Sequence, residues 1–335
     1  MAERYAVVVT TINAPTPAVR SLAEGSARIG ADFVVVGDTK SPPTFPLDGP
    51  RFFDIQAQND SGFRLSRAAP VRHYARKNIG YLIAIRDGAT VLLETDDDNI
   101  PLEAFWGPRS RLVSAPVAAG EGWCNVYSHF SDELIWPRGL PLDQIQRPTS
   151  PLIPAQAAFD CPIQQGLADA NPDVDAVYRL TRSLPAYFKA DRTVVLEQGA
   201  WCPFNSQNTA WWPPAYPLLY LPSYCPFRMT DIWRSLVAQR IAWGCGWCVM
   251  FHSPTVRQDR NVHDLMDDFA DEIAGYLHND RIRRTLEALP LRGGVEAIGD
   301  DLLRSYEALV GLEVVGAGEL DLVRLWLEDL APLLP

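Results

Sequence analysis

The sequence predicts an α/β fold in which a helix-flanked sheet is followed by a helical C-terminal region, and three observations predict it. Apolar, β-branched runs alternate with helix-compatible segments from Tyr5 to Thr95. One of these runs, Thr90 to Thr95, passes directly into Asp96-Asp97-Asp98-Asn99. From Asp264 onward apolar residues recur at three-to-four spacing and no further strand pattern is found.

In chain order, Tyr5 to Thr11 reads as a buried strand and Pro17 to Ile29 as a helix. Asp32 to Val36 forms a second strand ending at Gly37-Asp38-Thr39-Lys40. A short strand at Arg51 to Ile55 and a polar stretch to Pro70 precede a helix from Tyr74, which Gly88 stops. The strand of the opening observation follows. Three adjacent carboxylates repel one another and resist desolvation, so at a strand mouth they point to a divalent cation. The alternative is a solvated acidic turn capping a helix at Pro101 to Trp106. Strand C-termini in open α/β sheets are where ligands bind. Asp38, the cationic helix start Arg76-Lys77-Asn78 and the aspartate cluster would therefore meet at one sheet edge, with room for a nucleoside diphosphate. Taken singly, Arg76 and Lys77 read equally well as surface charges and Asp38 as a turn residue.

Composition bounds the partners. The 335 residues carry a net charge of −11, with 47% hydrophobic and 21% charged residues. That balance argues against nucleic acid or an anionic membrane as a partner. The N-terminal residues lead straight into a strand pattern, and the late apolar run Ile241 to Phe251 is too short to span a bilayer, so no transmembrane segment and a cytoplasmic location are expected. Six cysteines are too few for a disulfide framework, and Cys245 and Cys248 lie in an apolar run as expected of buried thiols.

Between Asn99 and Pro226 the sequence is rich in proline and aromatics. Arg138, Asn205, Gln207 and Asn208 are candidates for fixed hydrogen bonds to a ligand. Asp173 and Asp175 alternate and would share a face of an extended segment, open to acceptor hydrogen bonding or to solvent. Thr230 is expected to cap a helix running to Trp243, with Asp231 in its first turn as either a dipole partner or a catalytic carboxylate. His252 and His263 flank a cationic stretch and could complete a metal shell. Four helical segments follow, at Asp264 to Leu277, Asp280 to Leu289, Val295 to Val310 and Glu319 to Leu330.

The helix Arg76 to Tyr81, followed by a strand and Asp96-Asp97-Asp98-Asn99, resembles the nucleotide-sugar half of a GT-A glycosyltransferase. Several motifs are more closely similar to the STELLO family of glycosyltransferases. They are Val36 to Lys40, Glu94 to Asn99, Trp136-Pro137-Arg138-Gly139, Gln164 to Asp169, Asp173 to Ala176, Pro203 to Thr209 and Asp231-Ile232-Trp233-Arg234. The Asp231 to Trp233 segment also resembles UDP-arabinose mutase-like proteins. The resemblance implies a GT-A-type, Rossmann-like mixed sheet at 1–263, with a nucleotide half to about 110 and an acceptor half beyond it, and a helical region at 264–335. It implies a nucleotide-sugar donor, with a UDP-sugar expected, Mn²⁺ or Mg²⁺ as cofactor, and a glycan, protein or small-molecule acceptor. In that scheme Asp96 and Asp98 hold the metal, with His263 as a further ligand and Asp97 beside them. Thr10, Thr11, Asp38 and Lys40 contact the nucleoside, and Arg76, Lys77 and Asn78 the phosphates or base. Asp231, with Asp175 as second candidate, is the base. The competing expectations are a mutase or self-glycosylating protein carrying sugar on Arg138 or Arg179, and a non-catalytic scaffold. A homodimer through the C-terminal helices is a further expectation.

Overall fold

The computed structural model describes residues 3–260 and 264–334. Four strands, β1 (Tyr5–Thr10), β2 (Asp32–Val36), β3 (Arg51–Phe53) and β4 (Val91–Thr95), lie side by side in the order β3-β2-β1-β4, all parallel. The inward residues of β1, β2 and β4 are almost all apolar and buried, as strands covered on both faces require. Next to β4 runs Asn208–Trp211, antiparallel, and beyond it Ile163–Asp169, Val249–Gln258 and Thr193–Leu196 continue a single mixed sheet. The expected mixed sheet flanked by helices is therefore present.

The helix Pro17–Ile29 follows β1. Thr16 caps it by accepting the Val19 N–H at 3.1 Å, and Gly30 ends it at φ 69°. The helix Lys77–Arg86 lies so close to the sheet that a Cβ on Gly80 would come within 2.7 Å of Val8 and 2.6 Å of Val36. Glycine is what lets this helix, and the residues at its start, reach the sheet edge.

Several local expectations are revised. The third strand stops at Phe53, and Asp54 caps a short helix at Ile55–Asn59. No helix begins after the aspartates: β5 (Asn99–Pro101) pairs antiparallel with Val249–Gln258, and Glu103–Trp106 is one 3₁₀ turn. Asp96 to Asn99 is thus a turn between two strands, closed by the Asn99 N–H on the Asp96 carbonyl at 3.3 Å. Thr230 does not cap its helix; a 3₁₀ turn at Phe227–Met229 leads into Thr230–Gly244. The two helices expected from Asp264 to Leu289 form one, Leu265–Ala288.

The helices Ile298–Gly311 and Glu319–Leu330 share a core with the sheet, Tyr306, Leu309 and Trp326 packing in the same apolar cluster as Leu92, Trp211 and Leu236. Glu319, itself buried, accepts from Tyr220 and from the N–H groups of Ser223 (2.9 Å) and Tyr224 (2.6 Å). All six cysteines are free, and Cys248 is buried.

Candidate functional site

A cleft of about 730 Å³ opens at the C-terminal ends of β1, β2 and β4 and runs to the start of the Thr230–Gly244 helix. One wall carries Thr10, Thr11, Asp38 and Lys40, its floor Asp96, Asp97 and Asp98, and the far wall Arg138, Ser206 and Asp231.

β4 places the aspartates through what lies beneath it. Glu94, fully buried, accepts from both terminal nitrogens of Arg234 at 2.9 and 2.8 Å, from the Trp211 indole at 2.9 Å and from the Tyr81 hydroxyl. With every lone pair engaged, this ion pair holds the strand end at a set height. Above it Lys77, with no exposed surface, directs its ammonium to Asp96 Oδ1 (2.8 Å), the Thr95 carbonyl (2.8 Å) and the Ser206 carbonyl (3.3 Å). Asp97 Oδ2 accepts from Thr11 (2.5 Å) and Asn13 (3.0 Å), and Asp98 Oδ2 from Gln258 (3.1 Å). Burial pushes the Asp96 carboxyl up from its ordinary range; Lys77 opposes this, while Asp231 and Asp97 add to it.

Asp96 Oδ2 and Asp97 Oδ1 accept no hydrogen bond among the described residues, leaving two hard oxygen donors facing the cleft. Among the described residues no group of three or more histidine, cysteine or acidic side chains is placed to hold a metal ion by itself. This donor set fits a Mg²⁺- or Mn²⁺-like cation that takes one or two carboxylates and completes its shell with phosphate oxygens and water. His263 lies outside the described residues. His252 turns its Nδ1 to the Ser253 carbonyl at 2.8 Å, and does not line the cleft.

On the far wall Arg138 is buried between two carboxylates. Its Nε and Nη2 donate to Asp173 at 2.8 and 3.0 Å, Nη2 also to both oxygens of Asp231 at 3.0 Å, and Nη1 to the Arg228 carbonyl. Asp231 further accepts the Ser206 N–H at 3.1 Å. Burial raises the Asp231 carboxyl, but Arg138 and the Ser206 N–H outweigh it and hold the group below its ordinary value. It is an anion at neutral pH and a weak base. Arg138 lines the cleft with its nitrogens committed to two carboxylates and a carbonyl, whereas Arg179 does not line it.

Other expected contacts are turned elsewhere. Asn78 exchanges hydrogen bonds with the main chain of Leu221 at 2.9 Å in both directions. Arg76 reaches the cleft wall, yet its guanidinium is spent on Gln58, Ser66 and Ala69. Asp175 caps the helix Ala176–Thr181 through the Tyr178 N–H at 2.7 Å and accepts from Trp136 at 2.8 Å, away from the cleft. Asn205 bonds Asp173 (2.8 Å), Gln207 bonds Asn99 (3.3 Å) and Asn208 bonds Thr255 (2.8 Å), all buried below the cleft surface. These residues support the site from behind. Asp38 spends both oxygens on main-chain donors, Oδ1 on Thr39 and Arg72 and Oδ2 on His73. Cleft residues that the sequence reading passed over include His73, Tyr74 and Phe227. Two of them stand directly before the cationic helix start that was singled out.

The model of the STELLO glycosyltransferases matches residues 228–334. Two Arabidopsis thaliana proteins, named "Probable glycosyltransferase STELLO1" and "Probable glycosyltransferase STELLO2", are each 28% identical to the chain, over 272 and 302 residues. The alignments take in 75% and 84% of this chain and 35% and 39% of those proteins, so the chain spans little more than a third of their length. The chain is similar to the STELLO family over these residues. The STELLO-matched region begins one turn before Asp231 and runs through the C-terminal helices, which ties those helices to the cleft's far wall in sequence as they are tied in the core. A solved structure titled "Crystal Structure of a Mycobacterial Protein" superposes with a TM-score of 0.43 at 11% identity, over 83% of this chain and 74% of that one. Among the described residues no helix is long and apolar enough to cross a membrane.

Proposed function

We propose that this STELLO relative transfers a glycosyl group from a nucleoside-diphosphate sugar, with uridine the expected nucleoside, in a reaction dependent on Mn²⁺ or Mg²⁺. The observation that carries this reading is the carboxylate turn at the end of a parallel strand, with cleft-facing oxygens on Asp96 and Asp97 and a buried lysine beneath. Such a cation, when bound, offsets the charge that builds on the departing diphosphate. Asp96 and Asp97 would hold it jointly with the phosphates, and Asp98 is the expected further ligand. Lys77 orients Asp96, while Thr10 and Lys40 remain available to the nucleoside and phosphates.

Asp231 faces the same cleft as an acceptor-side anion. Its low proton affinity suits orienting an acceptor hydroxyl and stabilising positive charge at the sugar carbon better than strong proton abstraction.

Calorimetry of UDP with and without Mn²⁺ tests the reading. The wild type is expected to bind UDP with Mn²⁺ and to lose that binding with chelator. Asp96→Ala should weaken it by about 100-fold. Equal affinity in the variant would overturn the metal assignment.

A further inference from the structure

Among the described residues, the cleft-lining His73 carries a buried ring nitrogen with no partner, and its neighbours fix that atom's chemistry. His73 Nδ1 accepts the main-chain N–H of Ala75 at 3.1 Å. An amide N–H can only donate, so the neutral ring must carry its proton on Nε2. Nε2 is buried and makes no hydrogen bond among the described residues. Burial pushes the ring's pKa down to about 4 against a partial pull from Asp38, so at neutral pH it is an uncharged imidazole with one donor.

That donor is held in place from three sides. Both oxygens of Asp38 grip the main chain of Arg72 and His73, at 2.8 and 3.0 Å. Arg72 sits at φ 60°, a left-handed conformation that a non-glycine residue keeps only where its surroundings impose it. The ring stacks on Tyr74 with centroids 5.6 Å apart and meets Phe227 edge-on at 5.3 Å. Phe227 is itself 46% exposed at the cleft mouth. Asp38 thus serves as the anchor of a reading residue, with two main-chain donors on Oδ1 and one on Oδ2.

The position suits a nucleobase. β2, which carries Asp38 at its end, and β4, which carries the aspartates, flank β1 on either side. Two strand spacings separate their ends by about 10 Å. This matches the reach from a diphosphate across a ribose to the base. A buried N–H donor left unpaired is costly, and an amino group placed against it would leave two donors facing each other.

Resting on the nucleotide-sugar reading above, we propose that His73 selects the nucleobase of the donor. Its Nε2–H donates to a ring keto oxygen, so uracil or guanine is taken in preference to cytosine or adenine, which present an amino group at the corresponding edge.

Binding of UDP and CDP to the full chain, each with Mn²⁺, tests this by calorimetry, because the two ligands share ribose, diphosphate and metal. The wild type should prefer UDP by about 10-fold or more. His73→Ala should bring the two affinities within about twofold by weakening UDP and sparing CDP. His73→Gln, whose amide N–H has similar reach, should restore part of the preference. Equal affinities in the wild type, a preference that survives in His73→Ala, or equal losses for both ligands would each overturn the role of His73 while leaving nucleotide binding standing. A wild type that binds neither ligand overturns both readings.

Discussion

At the residue scale, direction decides role. Asp175 and Asp231 are both buried aspartates near helix starts, and residue type alone does not separate them. Asp231 meets Arg138 across the cleft wall, whereas Asp175 faces a helix N-terminus with Glu272 and Asp173 near it. Burial first, and then those two acidic neighbours, push the Asp175 carboxyl up to about 6. Its folded value lies above the unfolded one, so the native state binds more protons between roughly pH 4 and 6. Stability is therefore lost as pH rises through that window, on the order of 3 kcal/mol. Asp175→Asn keeps an N-cap oxygen and should flatten this slope, with UDP binding unchanged; chemical denaturation at several pH values measures it, and an unaltered slope would count against the assignment. The same contrast explains what was legible. Three carboxylates after an apolar strand announce a site because no core tolerates them unaided. Asn78, Asn205, Gln207 and Asn208 carry no such mark, since an amide serves a ligand and a buried main chain equally well. His73 was passed over because a lone histidine is usually unremarkable until its neighbours fix its tautomer.

At the element scale, the alternation of β1, the Pro17–Ile29 helix, β2 and β4 could be read from apolar runs and glycine stops, because each pattern is local. The pairing of β5 with Val249–Gln258 could not, as its partner is more than 150 residues away in sequence and the segment is only three residues long. The Lys77–Arg86 helix is where element and site meet. Its Gly80 lies against Val8 and Val36, branched side chains rooted in the sheet that cannot swing aside. Valine at this position should cost about 1–3 kcal/mol through overpacking, more than the roughly 1 kcal/mol or less of helix propensity regained. Because the helix start carries Lys77 and follows His73, Gly80→Val should also weaken UDP binding along with lowering Tm. A variant with a reduced Tm and unaltered UDP affinity would show that helix and site are not mechanically joined.

At the scale of the whole molecule, the C-terminal helices read from sequence as an appendage, since amphipathic periodicity tells that a face is apolar and not what covers it. In the fold they are continuous with the sheet's core. Trp326 is fully buried and donates to the Pro217 carbonyl at 3.0 Å, and Asp329 receives the N–H groups of Arg64 and Leu65 at 3.1 and 2.8 Å. Trp326→Ala should remove about 3–5 kcal/mol. Calorimetric melting should show one transition displaced as a unit; a separate early transition would mean that the C-terminal helices melt on their own. A similar unity runs across the cleft through Ser206, whose carbonyl receives Lys77 beneath Asp96 and whose N–H serves Asp231. The two walls therefore share one peptide segment as a crossbar, and neither carboxylate can be displaced without loading the other. The Ser206 hydroxyl adds a third, longer tie to Asp231 at 3.3 Å, so alanine at 206 removes that contact alone and leaves the two main-chain ties, which only a change in the backbone itself can break.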